Sequence, residues 1–312
     1  MQRRPGTPIR AALALLWSAC AAATAAQDAP RPPRAADFAP ADEFLDVAGV
    51  ETHVVRRGDK GRPVVLVHGF GSSTYTWRKS LDALAGRYRV FAVDMRGFGL
   101  TAKPKDGRYN IVEFTDHLLA TLDALKLGDA RPVLVGSSLG GAVILRLALL
   151  HPGRVAGLVL VDAAPVGVEL ATPRPKQPKA MKLSPVLLRA MVGRGMVERG
   201  LRSSFFDQSL VTPEMVDAYL KPTELVGAME ALSAMMDAPA DIPMPALSTL
   251  KLPVLIAWGR HDRVIPVALA EGFARAIPGS RSVVFEKSGH LPHEEEPAAF
   301  HQALAEFVDQ IP

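Results

Sequence analysis

One stretch decides the fold, Val133-Leu134-Val135-Gly136-Ser137-Ser138-Leu139-Gly140-Gly141. A short apolar run of β-type residues leads into the pattern Gly-x-Ser-x-Gly, and an apolar run with helical spacing follows. This order predicts a sharp turn from a strand into a helix, which holds Ser138 in a strained conformation and exposes its hydroxyl. Glycines belong two residues before and after the serine, because a Cβ there would collide with the neighbouring strand and helix. Ser137 does not fit, since Val135 stands where a glycine is needed, so Ser138 is the candidate nucleophile.

Strands and helices alternate on both sides of this turn. Apolar β-type runs predict strands at residues 51–57, 63–67, 89–93, 133–135, 158–161, 254–258 and 282–285. Apolar residues at helical spacing predict helices at residues 111–125, 141–150 and 297–308. This alternation predicts a mostly parallel sheet with helices on both faces.

The insertion in this pattern predicts a second structural layer. Residues 44–164 and 251–312 carry the predicted strands, and we interpret them as one α/β core. Residues 165–250 interrupt the core with helical stretches and hold eight of the ten methionines. Methionine is flexible and apolar, so we expect a helical cap over a site for apolar ligands. The alternative, that these methionines only pack the cap against the core, stays open.

The N-terminal residues predict export. Within residues 1–26, three arginines precede an Ala- and Leu-rich run too short to span a membrane, and small residues follow it. We therefore expect a periplasmic or secreted protein. Residues 27–43 are rich in proline and alanine and predict a flexible linker. Cys20 is the only cysteine, in a pattern that resembles a lipoprotein cleavage site; a lipid anchor and a chance cysteine stay open as alternatives.

Composition excludes several classes of protein. A hydrophobic content of 48% excludes a disordered chain. Most of the net charge of +4 comes from the arginines of residues 1–26, so it does not indicate a nucleic-acid partner. The sequence contains no zinc motif, phosphate loop or dinucleotide fingerprint. We therefore predict chemistry that needs no metal and no cofactor.

A serine nucleophile needs a base and a group that orients the base. Asp262 directly follows one predicted strand, and His290 follows the next. Because the carboxyl ends of parallel strands meet at one edge of a sheet, both can reach the serine. Asp262 could instead cap the turn that follows it, which leaves Asp162 as a rival acid. His293 is the rival base, although its glutamate neighbours favour a solvated position or a helix start.

Two backbone N–H groups are the candidate oxyanion donors. His68-Gly69-Phe70-Gly71 follows another predicted strand, and we expect the N–H of Phe70 to point toward the serine. The N–H of Leu139 comes from the turn itself. We expect His68 to hold its loop. Asp94-Met95-Arg96-Gly97-Phe98-Gly99 predicts a tight turn nearby. The other histidines, at positions 53, 117, 151 and 301, lie within strand or helix patterns and receive no role.

Taken in order, these motifs resemble the α/β-hydrolase superfamily from about residue 44 to the end. The resemblance rests on residues 68–71, 94–99, 136–141, 259–266 and 289–297. It implies an eight-stranded, mostly parallel sheet with an inserted cap. It also implies a triad of nucleophile, acid and histidine that hydrolyses esters or related bonds.

Within the superfamily the chain resembles esterases, lipases and cofactor-free peroxidases. Epoxide hydrolases and haloalkane dehalogenases are also similar, but they use an aspartate nucleophile, and Ser138 argues against both. We predict an exported serine hydrolase that cleaves hydrophobic carboxylic esters. The alternatives are a C–C bond hydrolase of aromatic breakdown or a perhydrolase with the same triad, and a ligand-binding protein without turnover.

Overall fold

The structure is a computed structural model, and it describes residues 35–39, 42–167, 183–238 and 244–312. The predicted signal peptide with Cys20 lies outside these residues. So do the greater part of the predicted linker and the proline-rich start of the insertion. A short helix, α1 (Ala35–Phe38), precedes the first strand.

Eight strands form one sheet, in the order β1-β2-β4-β3-β5-β6-β7-β8. Both pairs that involve β2 are antiparallel, and all the other pairs are parallel. The strands are β1 (Glu43–Val47), β2 (Val50–Arg57), β3 (Pro63–Val67), β4 (Arg89–Val93), β5 (Val133–Ser137), β6 (Gly157–Val161), β7 (Val254–Gly259) and β8 (Arg281–Phe285). The predicted eight-stranded, mostly parallel sheet is confirmed.

The sequence patterns predicted seven of these strands to within two residues at each end and missed β1. This strand lies at the edge of the sheet, and it pairs only with β2. A two-residue turn joins them, in which Ala48 and Gly49 both have left-handed φ, 51° and 79°. That turn is typical of a β-hairpin, but Ala-Gly is a weaker signal for it than Asn-Gly.

Helices cover both faces of the sheet. On one face lie α2 (Arg78–Ala85) and α11 (Pro297–Asp309). On the other lie α3 (Ile111–Ala124), α4 (Leu139–Leu150) and α9 (Ala268–Ala276). Successive strand side chains alternate between the two apolar cores, so the central strands are buried on both faces, as expected for a parallel sheet.

Four α-helices lie between β6 and β7 among the described residues of the chain, as predicted for the inserted cap. They are α5 (Pro185–Met191), α6 (Arg194–Ser204), α7 (Pro213–Leu220) and α8 (Ala228–Met236). Two small apolar clusters hold them together, one around Phe205 and Met215 and the other around Leu188 and Met229. A further short helix, α10 (Pro292–Glu295), precedes α11. None of the described helices has the length and apolar character that a membrane span requires.

Candidate active site

Ser138 lies at the turn from β5 into α4, with φ 52° and ψ −116°. This is a costly backbone conformation for a residue with a Cβ. Backbone hydrogen bonds hold it in place. Its N–H donates to the carbonyl of Val161, and its own carbonyl accepts from the N–H of Ala164, both at 2.9 Å. The predicted strained turn is confirmed.

The glycines around the serine are needed for close packing of the backbone. A Cβ on Gly136 would lie 2.5 Å from the carbonyl oxygen of Gly140. One on Gly140 would lie 2.5 Å from the carbonyl oxygen of Val67, at the end of β3. Gly69 lies close to Ser138 itself, since a Cβ there would be 3.1 Å from Cβ of Ser138. These contacts place the loop after β3 directly against the turn.

His290 and Asp262 form the shortest polar contact of the site. Nδ1 of His290 donates to Oδ2 of Asp262 at 2.6 Å, and the Asp262 side chain is fully buried. The other oxygen, Oδ1, accepts from the N–H groups of Val264 and Ile265 at 2.7 and 2.9 Å. Asp262 therefore caps its turn and also orients the histidine. With Nδ1 occupied, Nε2 of His290 is the nitrogen that can serve as a base.

Ser138 and His290 line one cavity of about 350 Å³ between the core and the cap. Its described lining holds glycines, apolar side chains, hydroxyl groups and one imidazole, and no Asp, Glu, Lys or Arg. The cap contributes mostly apolar side chains, and the core contributes Phe70, Thr76 and Leu291 alongside the reactive residues. The arrangement can hold an apolar carbonyl compound next to the serine hydroxyl.

The two expected oxyanion donors belong to the loop after β3 and to the first turn of α4. Phe70 follows Gly69 and lines the cavity, with its side chain 54% exposed and packed edge-on against Phe98. Leu139 is the first residue of α4, where backbone N–H groups have no acceptor within the helix. The oxyanion site at these two N–H groups stays a prediction.

A family model described as "alpha/beta hydrolase fold" matches residues 62–297. The chain is an α/β hydrolase. One curated relative is 2-hydroxy-6-oxo-2,4-heptadienoate hydrolase of Pseudomonas putida, 32% identical in an alignment of 277 positions that covers 83% of this chain and 93% of the relative.

Solved structures of similar fold include two different kinds of hydrolase. A meta-cleavage product hydrolase from Pseudomonas fluorescens IP01 has a TM-score of 0.73 and 28% identity, covering 86% of this chain and 98% of its own. A thermophilic esterase from Thermogutta terrifontis has a TM-score of 0.72 and 27% identity, with the same coverage. The named relatives thus include a heptadienoate hydrolase, a meta-cleavage product hydrolase and an esterase.

The rival base of this α/β hydrolase lies away from the cavity. His293 is fully buried, its ring stacks on Trp77 with centroids 4.1 Å apart, and its Nε2 lies 2.9 Å from Oγ1 of Thr76. Burial lowers the pKa of His293 well below its usual range. The expected position at a helix start is confirmed, since His293 lies in α10, whereas the expected solvated position is wrong. The neighbouring glutamates did not predict that Trp77 packs against this helix.

His68 holds the loop after β3, as expected. Its Nδ1 donates to the carbonyl of Gly69 at 2.7 Å, and its Nε2 accepts from the N–H of Met95 at 3.1 Å. Burial lowers the pKa of His68, so the ring is neutral and can fill both roles. The loops after β3 and β4 are thereby locked together, which positions Phe70.

His53, which received no role from the sequence, pairs with Asp94 in the core. Nδ1 of His53 lies 2.7 Å from Oδ2 of Asp94, and Nε2 lies 3.0 Å from Oδ2 of Asp42. Burial lowers the pKa of His53, but the two carboxylates outweigh it and raise that pKa. The pair borders a second cavity of about 560 Å³, which neither Ser138 nor His290 lines. We therefore assign the chemistry to the smaller cavity.

The acid and histidine have one further neighbour that bears on metal binding. Donor atoms of Asp162, Asp262 and His290 all lie within 4.8 Å of one another. However, Nδ1 of His290 and Oδ2 of Asp262, which an ion would need, already bind each other at 2.6 Å. The geometry fits a hydrogen-bonded network better than an ion site.

Sequence reasoning missed Glu295, which joins the cap to the histidine loop. Its Oε2 accepts from the N–H groups of Phe206 and Asp207 in the cap, at 2.7 and 3.0 Å. Its Oε1 accepts from the N–H of Gly289 at 2.6 Å, directly before His290. The sequence contains three consecutive glutamates and does not indicate which one faces the cap. That choice depends on contacts between residues that lie about 90 positions apart in the chain.

Proposed function

We propose that this α/β hydrolase acts through an acyl-enzyme on Ser138. Oγ of Ser138 attacks the substrate carbonyl carbon while His290 takes the hydroxyl proton, and Asp262 orients the imidazole. His290 then gives the proton to the leaving group, and water releases the acyl group by the same steps in reverse order. The observation that carries the proposal is the 2.6 Å contact of Asp262 with His290, beside a strained serine in the same cavity.

The N–H groups of Phe70 and Leu139 are proposed to bind the oxyanion of the tetrahedral intermediate. Each such donor contributes roughly 3 kcal/mol to transition-state stabilisation in hydrolases of this kind. The tight packing of Gly69 on Ser138 supports this assignment, because it brings the Phe70 backbone to the nucleophile.

We propose an uncharged, largely apolar carbonyl compound as the substrate, with a hydrophobic carboxylic ester as the simplest class. The lining in the described part of the chain supplies apolar contact and hydroxyl groups but no charged side chain. A substrate carboxylate that is buried there would lose its contact with water and would find no cation to pair with. Burial of an unpaired charge is costly in free energy. The similar fold of a thermophilic esterase supports this substrate class.

A C–C bond hydrolase with the same triad is the second candidate, and the relatives favour it over ester cleavage. One relative is named as a heptadienoate hydrolase, and a similar structure is a meta-cleavage product hydrolase. The same serine would attack a ketone carbonyl, and a carbanion equivalent would leave and take up the proton. A dienoate also carries a carboxylate, which the uncharged lining does not favour.

Parallel assays on both substrate classes test the proposal. Nitrophenyl butyrate and hexanoate are compared with 2-hydroxy-6-oxohepta-2,4-dienoate, using wild type and Ser138→Ala. Ser282→Ala, an exposed serine on β8, is the control. Ester turnover that falls by about 10⁴ or more in Ser138→Ala alone supports the ester reading. Turnover of the dienoate alone supports the C–C reading, and equal rates in wild type and Ser138→Ala contradict both.

Labelling by an organophosphonate separates an enzyme from a binding protein on the same fold. The reagent reacts only with a serine that a base activates. We expect wild type to be labelled at Ser138 and the Ser138→Ala variant to stay unlabelled. Tight binding of apolar ligands without any labelling would support the ligand-binding alternative.

We propose that the protein is exported, on the composition of residues 1–26. Mass spectrometry of the N-terminus of the mature protein from the native host tests this. A chain that begins after residue 26 supports a cleaved signal, and one that begins at Cys20 with added acyl mass supports a lipoprotein. An intact N-terminus contradicts export by this signal.

A further inference from the structure

A second buried carboxyl group lies beside the acid and histidine of the proposed triad. Asp162 directly follows β6, the neighbour of β7 in the sheet, and its side chain has no exposure to solvent. One of its oxygens lies within 4.8 Å of both Asp262 and His290. Two carboxylates this close and this buried cannot easily both carry a charge. One of the two acids must therefore keep a proton over a wide pH range.

Hydrogen bonds decide which acid keeps the proton. Asp262 accepts two backbone N–H groups on Oδ1 and the His290 N–H on Oδ2. Asp162 accepts one N–H, from Gly259 to Oδ1 at 2.9 Å. Its Oδ2 is buried, and no N–H or O–H group in the described part of the chain donates to it. Three N–H donors stabilise a negative charge on Asp262, so the proton belongs on Asp162.

The backbone holds Asp162 in place for this contact. Its φ is 44°, in the left-handed region that is costly for a residue with a Cβ. Its N–H donates to the carbonyl of Ala257 on β7 at 3.0 Å, and its Oδ1 binds the same strand at Gly259. The neighbouring strand thus fixes both the backbone and the carboxyl group of Asp162.

We infer that Asp162 is protonated and donates a hydrogen bond from its carboxyl group to the carboxylate of Asp262. It is a positioning residue: it does not line the cavity beside Ser138, and it holds the acid that orients His290. The inference rests on the proposed triad and deepens it. It also gives a role to the acid that the sequence left as a rival of Asp262.

The charges around Asp162 agree with this assignment. Burial raises the pKa of Asp162 well above its usual range, and the nearby charge of Asp262 raises it further. Glu295 adds a smaller negative charge on the same side, and the N–H of Gly259 opposes these effects. His290 is the third titratable group within reach. Deprotonation of Asp162 in alkaline solution would place two anions side by side and disturb the acid–histidine pair.

Two variants distinguish whether Asp162 acts as a hydrogen-bond donor to Asp262 or through its own charge. Asp162→Asn keeps the shape, tolerates the left-handed φ and offers an N–H donor to Asp262 at every pH. Asp162→Ala removes the donor. We expect the rate of organophosphonate labelling of Ser138 at pH 7 to stay within about threefold of wild type in the Asn variant and to fall at least about tenfold in the Ala variant. Thermal unfolding of both variants shows that they are folded.

Infrared spectroscopy reports the proton directly. At pH 8 ordinary carboxyl groups are ionised, so a buried neutral one gives a separate carbonyl stretching band. We expect that band in wild type and its loss in folded Asp162→Asn. An unchanged band, an Asn variant as slow as the Ala variant, or full reactivity of the Ala variant would overturn the inference.

The same experiments distinguish a failure of the proposed function from a failure of the role inferred for Asp162. Wild-type protein that is not labelled at Ser138 contradicts the triad itself. Labelled wild type with one of the overturning results contradicts only the role of Asp162. If Asp162 were the orienting acid, Asp262→Asn would be harmless and Asp162→Asn would abolish labelling, which reverses the expected order.

Discussion

Glu295 accepts a hydrogen bond from the backbone N–H of Gly289 at 2.6 Å, directly before His290. The same carboxylate binds two backbone N–H groups of the cap. His290 itself donates its backbone N–H to the carbonyl of Ser204 in the cap at 2.7 Å. The position of the cap and the position of the proposed base are therefore coupled through one short segment.

We expect Glu295→Gln to lower both stability and activity. The amide has one acceptor oxygen for three N–H donors and sets an NH₂ group against at least one of them. Loss of hydrogen bonds to a charged acceptor typically costs about 1.5–3 kcal/mol each, and partial exposure brings the expected loss in unfolding free energy to about 1–3 kcal/mol. Urea unfolding measures the stability, and hydrolysis of the best substrate measures kcat.

Glu286→Gln is the matched control for Glu295. Glu286 is exposed and forms an ion pair with Arg260 at 2.6 Å. Exposed pairs contribute little to stability, so we expect no clear change in unfolding or kcat. Equal effects of the two substitutions would contradict a specific role of Glu295.

Gly140→Ala is expected to destabilise the protein and to reduce activity. The new Cβ would lie 2.5 Å from two backbone carbonyl oxygens, those of Val67 and His68. Overpacking against backbone costs about 1–3 kcal/mol, and it would displace the loop that carries Phe70. Gly86→Ala is the control, because its Cβ meets nothing within 4 Å and its φ is −67°. We expect that control to be as stable as wild type or slightly more stable, and similar losses in both variants would contradict the prediction.

Asp262→Asn is expected to remove activity with only a small loss of stability. The amide oxygen can still accept from Val264 and Ile265, but the amide cannot stabilise the imidazolium that forms on His290. We expect kcat to fall about 10³–10⁴-fold in an ester or dienoate assay. Asp82→Asn, an exposed position on α2, should leave kcat unchanged. An active Asp262→Asn enzyme would contradict its place in the triad.

Stability is expected to fall in acid because of His117. The ring is buried, and its Nε2 donates to Oγ1 of Thr52 at 3.0 Å. Burial lowers the pKa of His117 from 6.5 to about 4. Between these values the unfolded chain binds more protons, so unfolding free energy falls as pH falls from 6.5 through 4. Over the whole window the unfolding free energy is expected to fall by an amount on the order of 3 kcal/mol.

His117→Gln tests that pH dependence. The amide can donate to Thr52 and does not titrate. Between pH 4 and 6.5 we expect a smaller slope of unfolding free energy against pH, because unfolding of the variant takes up as much as one proton fewer. This expectation holds whatever the change in absolute stability. Chemical unfolding at several pH values measures the slope, and an unchanged slope would contradict the prediction.

Local patterns predicted the sheet because its strands are short, its central strands are mostly apolar, and turn residues bound them. The same holds for the turn at Ser138, whose glycines have a local steric cause. Asp262 and His290 followed from topology, since each directly follows a strand and parallel strands end at one edge. The edge strand β1 escaped because only one of its five residues is fully buried and its hairpin turn lacks a strong signal.

The sequence by itself determined the order of elements, the strained turn at Ser138 and the residues at the strand ends, since backbone sterics and apolar periodicity act over a few residues. Only the tertiary structure decided which of Asp162 and Asp262 binds Nδ1 of His290, where His53 and His293 lie, and which glutamate binds the cap. These depend on burial and on contacts between residues far apart in the chain. An aspartate is written the same way in the sequence wherever it occurs, but whether its carboxyl group is charged depends on the groups around it in the fold.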